Sequence, residues 1–420
     1  MLRILLISHT CQSPAEGQPK SELLHARGDL NLKILIPSRW KHYGKWRPVQ
    51  FLPNAKASYI VGKVRWPSMG PALFFLHYYP HLKRILLDFK PDVIDLWEEP
   101  WSMVSAHTCY LRNKLLPKSK IISETEQNIF RKLPQPFEFF RQYTIKNTDY
   151  LIGRSTEAVD VMRRHGYHGP ACTVPNGVDA SMFTPTKKTE EGTKKLEEKG
   201  SAASPPCSSE AVRSRMPQAS SSFKAGEAPP VRSSEAVRSF VVGYAGRLVK
   251  EKGLGDLVDA IALCPANVHL TLIGDGPFKF QLQQRIAEKQ LADRVRISPG
   301  VPLAQLPDWM RSLNVFALPS RTTRTWKEQF GRVIIEAHAC GIPVIGSNSG
   351  AIPEVIGEAG LVAQEGDPQS LAAAIRQLAA NPASAVEMGR LGRRRVENWC
   401  CWPKIAEQMA CIYAATAVKK

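Results

Sequence analysis

The chain predicts an α/β protein built from two doubly wound sheets that face each other across a cleft. Three observations predict it. The 420 residues are too many for a single ordinary core, so two domains are the default. Both halves alternate short apolar runs with helical patterns, the signature of parallel strands joined by crossovers. Between the halves, from 186 to 238, the composition collapses into Lys, Glu, Ser, Ala and Pro. Such a stretch cannot bury enough apolar surface to offset its ordering entropy, and it is expected to be a disordered insertion. The expected division is an N-terminal domain over 1–180, the insertion over 186–238, a second domain over 239–398 and a terminal helix over 399–420.

In the first half, strands are expected at Leu2–Ile7, Leu32–Ile36, Val93–Leu96, Ile121–Ser123 and Tyr150–Ile152. Helical patterns fall at Ser21–Ala26, Leu73–Phe89, Phe137–Ile145 and Thr156–His165. Asn176-Gly177 is a turn signal closing the domain. The motif Ser-Ser-Glu-Ala-Val-Arg-Ser occurs at 208–214 and again at 233–239, a short duplication inside the insertion. The second half opens with a strand at Phe240–Tyr244 and continues through Gly255–Leu263, Val268–Ile273, Phe278–Glu288, Val295–Ile297, Val315–Leu318, Val344–Ile345 and Leu361–Val362. Helical segments at Leu371–Ala380 and Ile405–Ala414 complete it.

Composition narrows the class. Hydrophobic content of 43% with 22% charged residues is ordinary soluble composition, and no run approaches the ~18 apolar residues of a membrane span. Met1–Ser8 is too short for a signal sequence and carries Arg3, so it is expected to be a buried strand. The nine cysteines form no C-x-x-C pair, which fits reduced thiols in a cytoplasmic enzyme. The net charge of +18 favours an anionic partner.

Ligands of doubly wound sheets gather at the carboxyl ends of the strands. There, Ala245-Gly246-Arg247-Leu-Val-Lys250-Glu-Lys252-Gly253 offers a glycine that permits close backbone approach, a guanidinium fork and a compact ammonium. A solvated basic loop is the plain alternative; a phosphate site is the functional one. Ile273-Gly274-Asp275-Gly276-Pro277 is a second tight turn. Glu328-Gln-Phe-Gly-Arg-Val-Ile-Ile-Glu336 then runs into Ala337-His-Ala-Cys-Gly341-Ile-Pro343-Val-Ile. Glu328 is expected in the loop entering a helix, with Phe330 and Gly331 at its first turn, where unpaired N–H groups meet anions and hydroxyls. Glu336 lies inside an apolar run, where an ionised carboxylate costs several kcal/mol unless partnered.

The E-x7-E segment, the Gly341-Ile-Pro343-Val strand, Leu318-Pro-Ser320 and Gly350-Ala-Ile-Pro353-Glu354 together resemble the retaining nucleotide-sugar glycosyltransferases of family 4. The resemblance implies the GT-B fold, two Rossmann-like domains with the active site between them. It implies that Gly246, Arg247 and Lys252 hold the nucleotide diphosphate, that Gly274 and Gly276 flank the base, and that Glu336 pairs with the ribose hydroxyls. It places Glu328, with the N–H groups of Phe330 and Gly331, beside the sugar being transferred. Arg247, Lys252 and Glu328 are the catalytic set it implies. Arg247 and Lys252 would neutralise the leaving group without a metal or other cofactor. A terminal helix would cross back onto the first domain, with Trp399 and Trp402 marking the crossing.

The first domain matches less closely. Gly17 stands alone where the family often has paired glycines near the donor phosphates. Histidines frequent in the family after the third strand are replaced here by Asp95-Leu-Trp97-Glu98-Glu99. His9, Asp95, Glu98, Glu99, Glu124 and Glu126 are therefore the acceptor-side candidates, as hydroxyl partners or as base. Arg39-Trp-Lys-His-Tyr-Gly-Lys-Trp-Arg47 and Lys63-Val-Arg-Trp66 mix cations with aromatics, as a peripheral contact with an anionic membrane would require. A solvated loop explains them equally well. No signature of nucleic-acid recognition accompanies the charge.

The expected activity is transfer of a sugar from a nucleotide donor to an acceptor hydroxyl of a glycan or lipid-linked acceptor, with retention. The expected location is the cytoplasm or the inner face of the membrane. The alternatives are a same-fold epimerase, a glycan phosphorylase (no cofactor-lysine motif is evident), and a non-catalytic sugar-nucleotide or polyanion binder.

Overall fold

Strand β1 (Leu2–Ile7) has Ile4–Ile7 fully buried because helices cover both faces of its sheet. In the computed structural model, which describes residues 1–14, 16–42, 45–66, 74–186 and 239–418, β1 lies between β2 (Leu30–Pro37) and β6 (Val93–Leu96), parallel to both. The sheet extends outward to β5 (Ser58–Gly62) on one side. On the other it runs through β7 (Lys120–Thr125), β8 (Tyr150–Gly153) and β9 (Ala171–Thr173), giving the order β5-β2-β1-β6-β7-β8-β9. Winding reverses at β1, between β2 and β6.

The second sheet repeats the plan. β10 (Phe240–Ala245) sits between β11 (Val268–Ile273) and β13 (Val315–Leu318), with β12 (Val295–Ser298), β14 (Val344–Ser347) and β15 (Gly360–Ala363) outside them. All its strands are parallel. Among the described residues no helix is long and apolar enough to cross a membrane.

Where expectation and structure part, the cause is local. A continuous helix over Leu73–Phe89 is not formed. A single 3-10 turn (Phe74–Leu76) is followed by a helix only from Leu82 to Phe89, because Pro80 lacks an N–H and its ring blocks the preceding turn. Leu73 itself lies outside the described residues, as do the insertion from 187 to 238 and most of its duplicated motif. The helix Met103–Leu115 escaped the sequence reading. Its periodicity is weak, and it is set by an N-cap at Ser102, whose hydroxyl accepts from the Ser105 N–H. A hairpin of β3 (Arg39–His42) and β4 (Lys45–Pro48) also occupies a stretch expected to be loop.

The chain passes between domains at two adjoining points. Val178 pairs with Cys401, and Gly177 lies flat against the Trp402 indole, which a Cβ at 177 would strike. Trp399 faces Phe330 of the second domain at 6.1 Å, whereas Trp402 joins the core of the first. The terminal helix Trp402–Val418 then packs on α1 (Gln18–Ala26), with Ile405, Met409 and Tyr413 buried. Tyr413 Oη donates to Asp95 Oδ2 at 2.6 Å, both groups being fully buried. Tyr413→Phe removes this donor from a buried carboxyl and is expected to destabilise the first domain by about 1–3 kcal/mol. Thermal unfolding of the variant checks it, and an unchanged melting temperature would contradict it.

Candidate active site

Both winding reversals carry the residues of interest, as the topology requires. At the second domain's reversal, Gly246 and Arg247 follow β10, and the segment from Pro319 to Gly331 follows β13. Gly274 has φ +144° and lies so close that an added Cβ would strike the Gly246 carbonyl. Only glycine allows these two loops to stack backbone on backbone. Tyr244 Oη donates to the Arg247 carbonyl at 2.9 Å, which braces the loop from inside.

Lys252 ends a 3-10 turn (Lys250–Lys252), and its Nζ donates to Glu328 Oε2 at 2.6 Å. The same oxygen accepts from Ser320 Oγ at 2.7 Å, and the ammonium lies 5.0 Å from the Trp326 ring centroid. Glu328 is only 7% exposed. A buried carboxylate of this kind needs such partners to remain ionised. Around it opens a cavity of about 650 Å³ lined by Arg247, Lys250, Lys252, Phe278, Trp326 and Glu328. Ser320 and Trp326 belong to the polar loop ahead of Glu328, but nothing in their spacing announced these contacts.

The carboxylate helix spans Arg332–Ala339, with Gly331 as its N-cap at φ +81° and Phe330 buried beneath. Glu328 is thus in the entering loop and Glu336 in the helix, on the wetter side of an otherwise apolar face. Burial pushes the Glu336 carboxyl up to about 7, and Arg332 one turn earlier pulls the other way.

At the first domain's reversal, His9 follows β1 and Glu98 follows β6. They border a cavity of about 340 Å³ that also takes in Phe75, Trp97, Trp101 and Glu126. Glu98 accepts the His9 backbone N–H at 2.7 Å and meets His9 Nδ1 at 2.8 Å, with His77 Nε2 3.8 Å away. Burial alone would raise the Glu98 carboxyl, but His9 and His77 outweigh it and hold it down to about 2. Glu99 sits at the same wall, accepting from Thr125 Oγ1 at 2.7 Å and the Glu126 N–H at 3.0 Å. Burial raises its carboxyl to about 8.

The other acceptor-side candidates divide. Glu126 is partly exposed to the cavity. Glu124 lines it but is spent internally, paired with Lys20 Nζ at 3.1 Å and with Arg154. Asp95 does not reach the cavity. It is fully buried under Tyr413, which corrects its expected place on the acceptor side. Gly17 is buried at the N-cap of α1 against Cys11, where a Cβ would collide with the thiol. Lys20 and Arg154 flank Trp97, with Lys20 Nζ 3.7 Å from its ring centroid. Nothing local in the sequence marks either cation, and the tertiary fold buries both.

The two walls touch through the loops that carry these residues. Asn128 Nδ2 donates to the Glu328 carbonyl at 2.8 Å, and Gln329 Nε2 to the Glu126 carbonyl at 3.1 Å. Arg332 approaches Glu16 at 3.4 Å, and Lys327 pairs with Glu157.

The sequence from 230 to 395 matches the family described as Glycosyl transferases group 1. The match falls on the second domain. Curated relatives and solved structures are similar as well. The chain is 34% identical over 167 residues to the GDP-mannose-dependent alpha-(1-6)-phosphatidylinositol monomannoside mannosyltransferase of Mycolicibacterium smegmatis, covering 38% of this chain and 44% of the relative. It is 32% identical over 183 residues to the capsular polysaccharide biosynthesis glycosyltransferase CapM of Staphylococcus aureus, covering 42% and 46%. The aligned stretch thus spans less than half the length of these curated relatives. The structure superposes on Anabaena Alr3699/HepE, solved with UDP, at a TM-score of 0.67 with 18% identity over 99% of this chain and 100% of that one. For the Rickettsia africae glycosyltransferase the values are 0.66, 16%, 100% and 99%. These likenesses establish the GT-B fold around the group 1 domain.

Proposed function

We propose that the chain is a retaining glycosyltransferase that moves a sugar from a nucleotide-diphosphate donor to an acceptor hydroxyl. One observation carries the reading: Lys252 and Ser320 converge on one carboxylate oxygen of Glu328, in the cavity that Arg247 also lines, at the winding reversal of a domain that matches the group 1 family. Arg247 and Lys252 take the diphosphate, and their charge meets the charge that develops on the leaving group. Glu336 grips the ribose hydroxyls. Glu328, with the Phe330 and Gly331 N–H groups, holds the hydroxyls of the transferred sugar. No metal is assigned a role.

The acceptor enters the first-domain cavity. Phe75, Trp97 and Trp101 supply apolar faces there, and Glu99 and Glu126 supply hydroxyl acceptors, a lining suited to a glycan. Anabaena HepE is solved with UDP-glucose, and the mycobacterial relative is named for GDP-mannose; both fit a hexose donor. A lipid-linked acceptor fits the exposed cation and aromatic surface of the first domain, where Arg39 lies 5.0 Å from the exposed Trp46 ring and Trp66 is also exposed. That surface is assigned to peripheral contact with an anionic membrane.

Thermal-shift and calorimetric titration with UDP-, GDP- and ADP-hexoses tests the donor role. One base series is expected to bind with release of free nucleotide only when an acceptor or water is consumed. Binding without any turnover would support a non-catalytic binder, and turnover to an isomeric nucleotide sugar an epimerase.

A further inference from the structure

Resting on the transfer activity proposed above, we propose that Asn128 of the first domain is a positioning residue. Through the Glu328 carbonyl it fixes the carboxylate that meets the transferred sugar. Asn128 Nδ2 donates to that carbonyl at 2.8 Å across 200 residues of sequence, and the Asn128 side chain is buried. A carbonyl only accepts, so the contact also sets which end of the amide faces it. Asn128 is itself held in place. The Gln127 N–H donates to Thr125 Oγ1 at 3.2 Å, and the Ile129 N–H to Gln127 Oε1 at 3.0 Å, so the loop on either side of Asn128 is braced by its own side chains.

The receiving end is bound as firmly. The Glu328 carbonyl also accepts the Ala351 N–H at 3.1 Å, and Gly350 passes so close that an added Cβ would strike that oxygen. One peptide carbonyl is thus gripped from both domains, while the carboxylate of the same residue takes Lys252 and Ser320. Its two neighbours are tied to the first domain as well. Lys327 pairs with Glu157, and Gln329 Nε2 donates to the Glu126 carbonyl at 3.1 Å. Gln329 and Glu126 both line the first-domain cavity, where the acceptor is placed. The wall that receives the acceptor therefore also sets the carboxylate that holds the donor's sugar. A misplacement of about 1 Å at such a group lowers the rate by on the order of 10²-fold, even when its cause is remote from the bond that breaks. The nucleoside diphosphate is assigned to Arg247 and Lys252 of the second domain, so its affinity should not follow the rate.

The test uses Asn128→Leu, which keeps the volume and branching but loses the donor, and Asn128→Ala, which loses both. Release of nucleoside diphosphate from the nucleotide hexose that binds is measured with water alone and with a panel of methyl hexopyranosides. Both variants are expected to lower turnover by about ten- to a hundredfold. Calorimetry with the nucleoside diphosphate alone is expected to give an affinity within about twofold of wild type, as for an interaction that matters only in the transition state. Added to Glu328→Gln, Asn128→Leu is expected to lower turnover by less than about twofold more, because both changes act through one carboxylate. Undiminished turnover in Asn128→Leu, or its full loss repeated on top of Glu328→Gln, would overturn the role of Asn128 and leave the transfer reading standing. So would a nucleotide affinity that falls as far as turnover, the mark of a residue that only holds the two domains together. A wild-type chain that binds nucleotide yet transfers to no acceptor, water included, would overturn the transfer reading and this role with it.

Discussion

Arg247→Ala and Lys252→Met are each expected to weaken binding of the nucleoside diphosphate by about ten- to a hundredfold. Each removes a charge-assisted contact of roughly 1.5–3 kcal/mol, and every 1.4 kcal/mol is tenfold. The two should not add. Lys252 is already held by Glu328 at 2.6 Å, so its loss also leaves a 7%-exposed carboxylate without its cation. That orphaned charge repels the diphosphate, and the Lys252 variant is expected to be the weaker binder. Calorimetry with the nucleoside diphosphate alone measures both effects without any acceptor. Affinity unchanged in both variants would mean that the phosphates lie elsewhere.

Glu328→Gln is expected to act in the opposite sense on binding. It keeps the shape and an acceptor for Ser320 Oγ, now at 2.7 Å, but cancels the charge that holds Lys252. Lys252 is then released to the diphosphate, so nucleotide affinity should stay level or tighten by a few fold. Turnover should fall by about 10²- to 10³-fold, the loss seen when one electrostatic contact to a transition state is removed. Steady-state kinetics beside calorimetry separate the two quantities. Reduced affinity with normal turnover would make Glu328 a mere brace for Lys252.

Much of the plan was legible in the sequence. The runs Leu2–Ile7, Val93–Leu96, Val268–Ile273 and Val315–Leu318 form strands at the positions expected, because strands buried on both faces need continuous apolar residues. The E-x7-E segment also divides as read: Glu328 lies in the loop and Glu336 in the helix. What stayed hidden depends on contacts distant in sequence. Nothing local to His9 signals that Glu98 will grip it 89 residues later. Asp95 looked like a ligand at a strand end, and only the terminal helix, placing Tyr413 above it, removes it. Lys20 and Arg154 are ordinary cations until Glu124 and Trp97 bury them. The hairpin over 39–48 has too short a pattern to separate from loop, yet it supplies the indole behind His9.

The most direct measurement is a crystal structure of this chain soaked with the nucleotide sugar that binds. The expected map places diphosphate oxygens within about 3 Å of Arg247 and Lys252, ribose hydroxyls on Glu336 and the hexose against Glu328 and the N–H groups of Phe330 and Gly331. Nucleotide density lodged in the first-domain cavity beside Trp97 and Glu126, with Arg247 and Lys252 untouched, would contradict it.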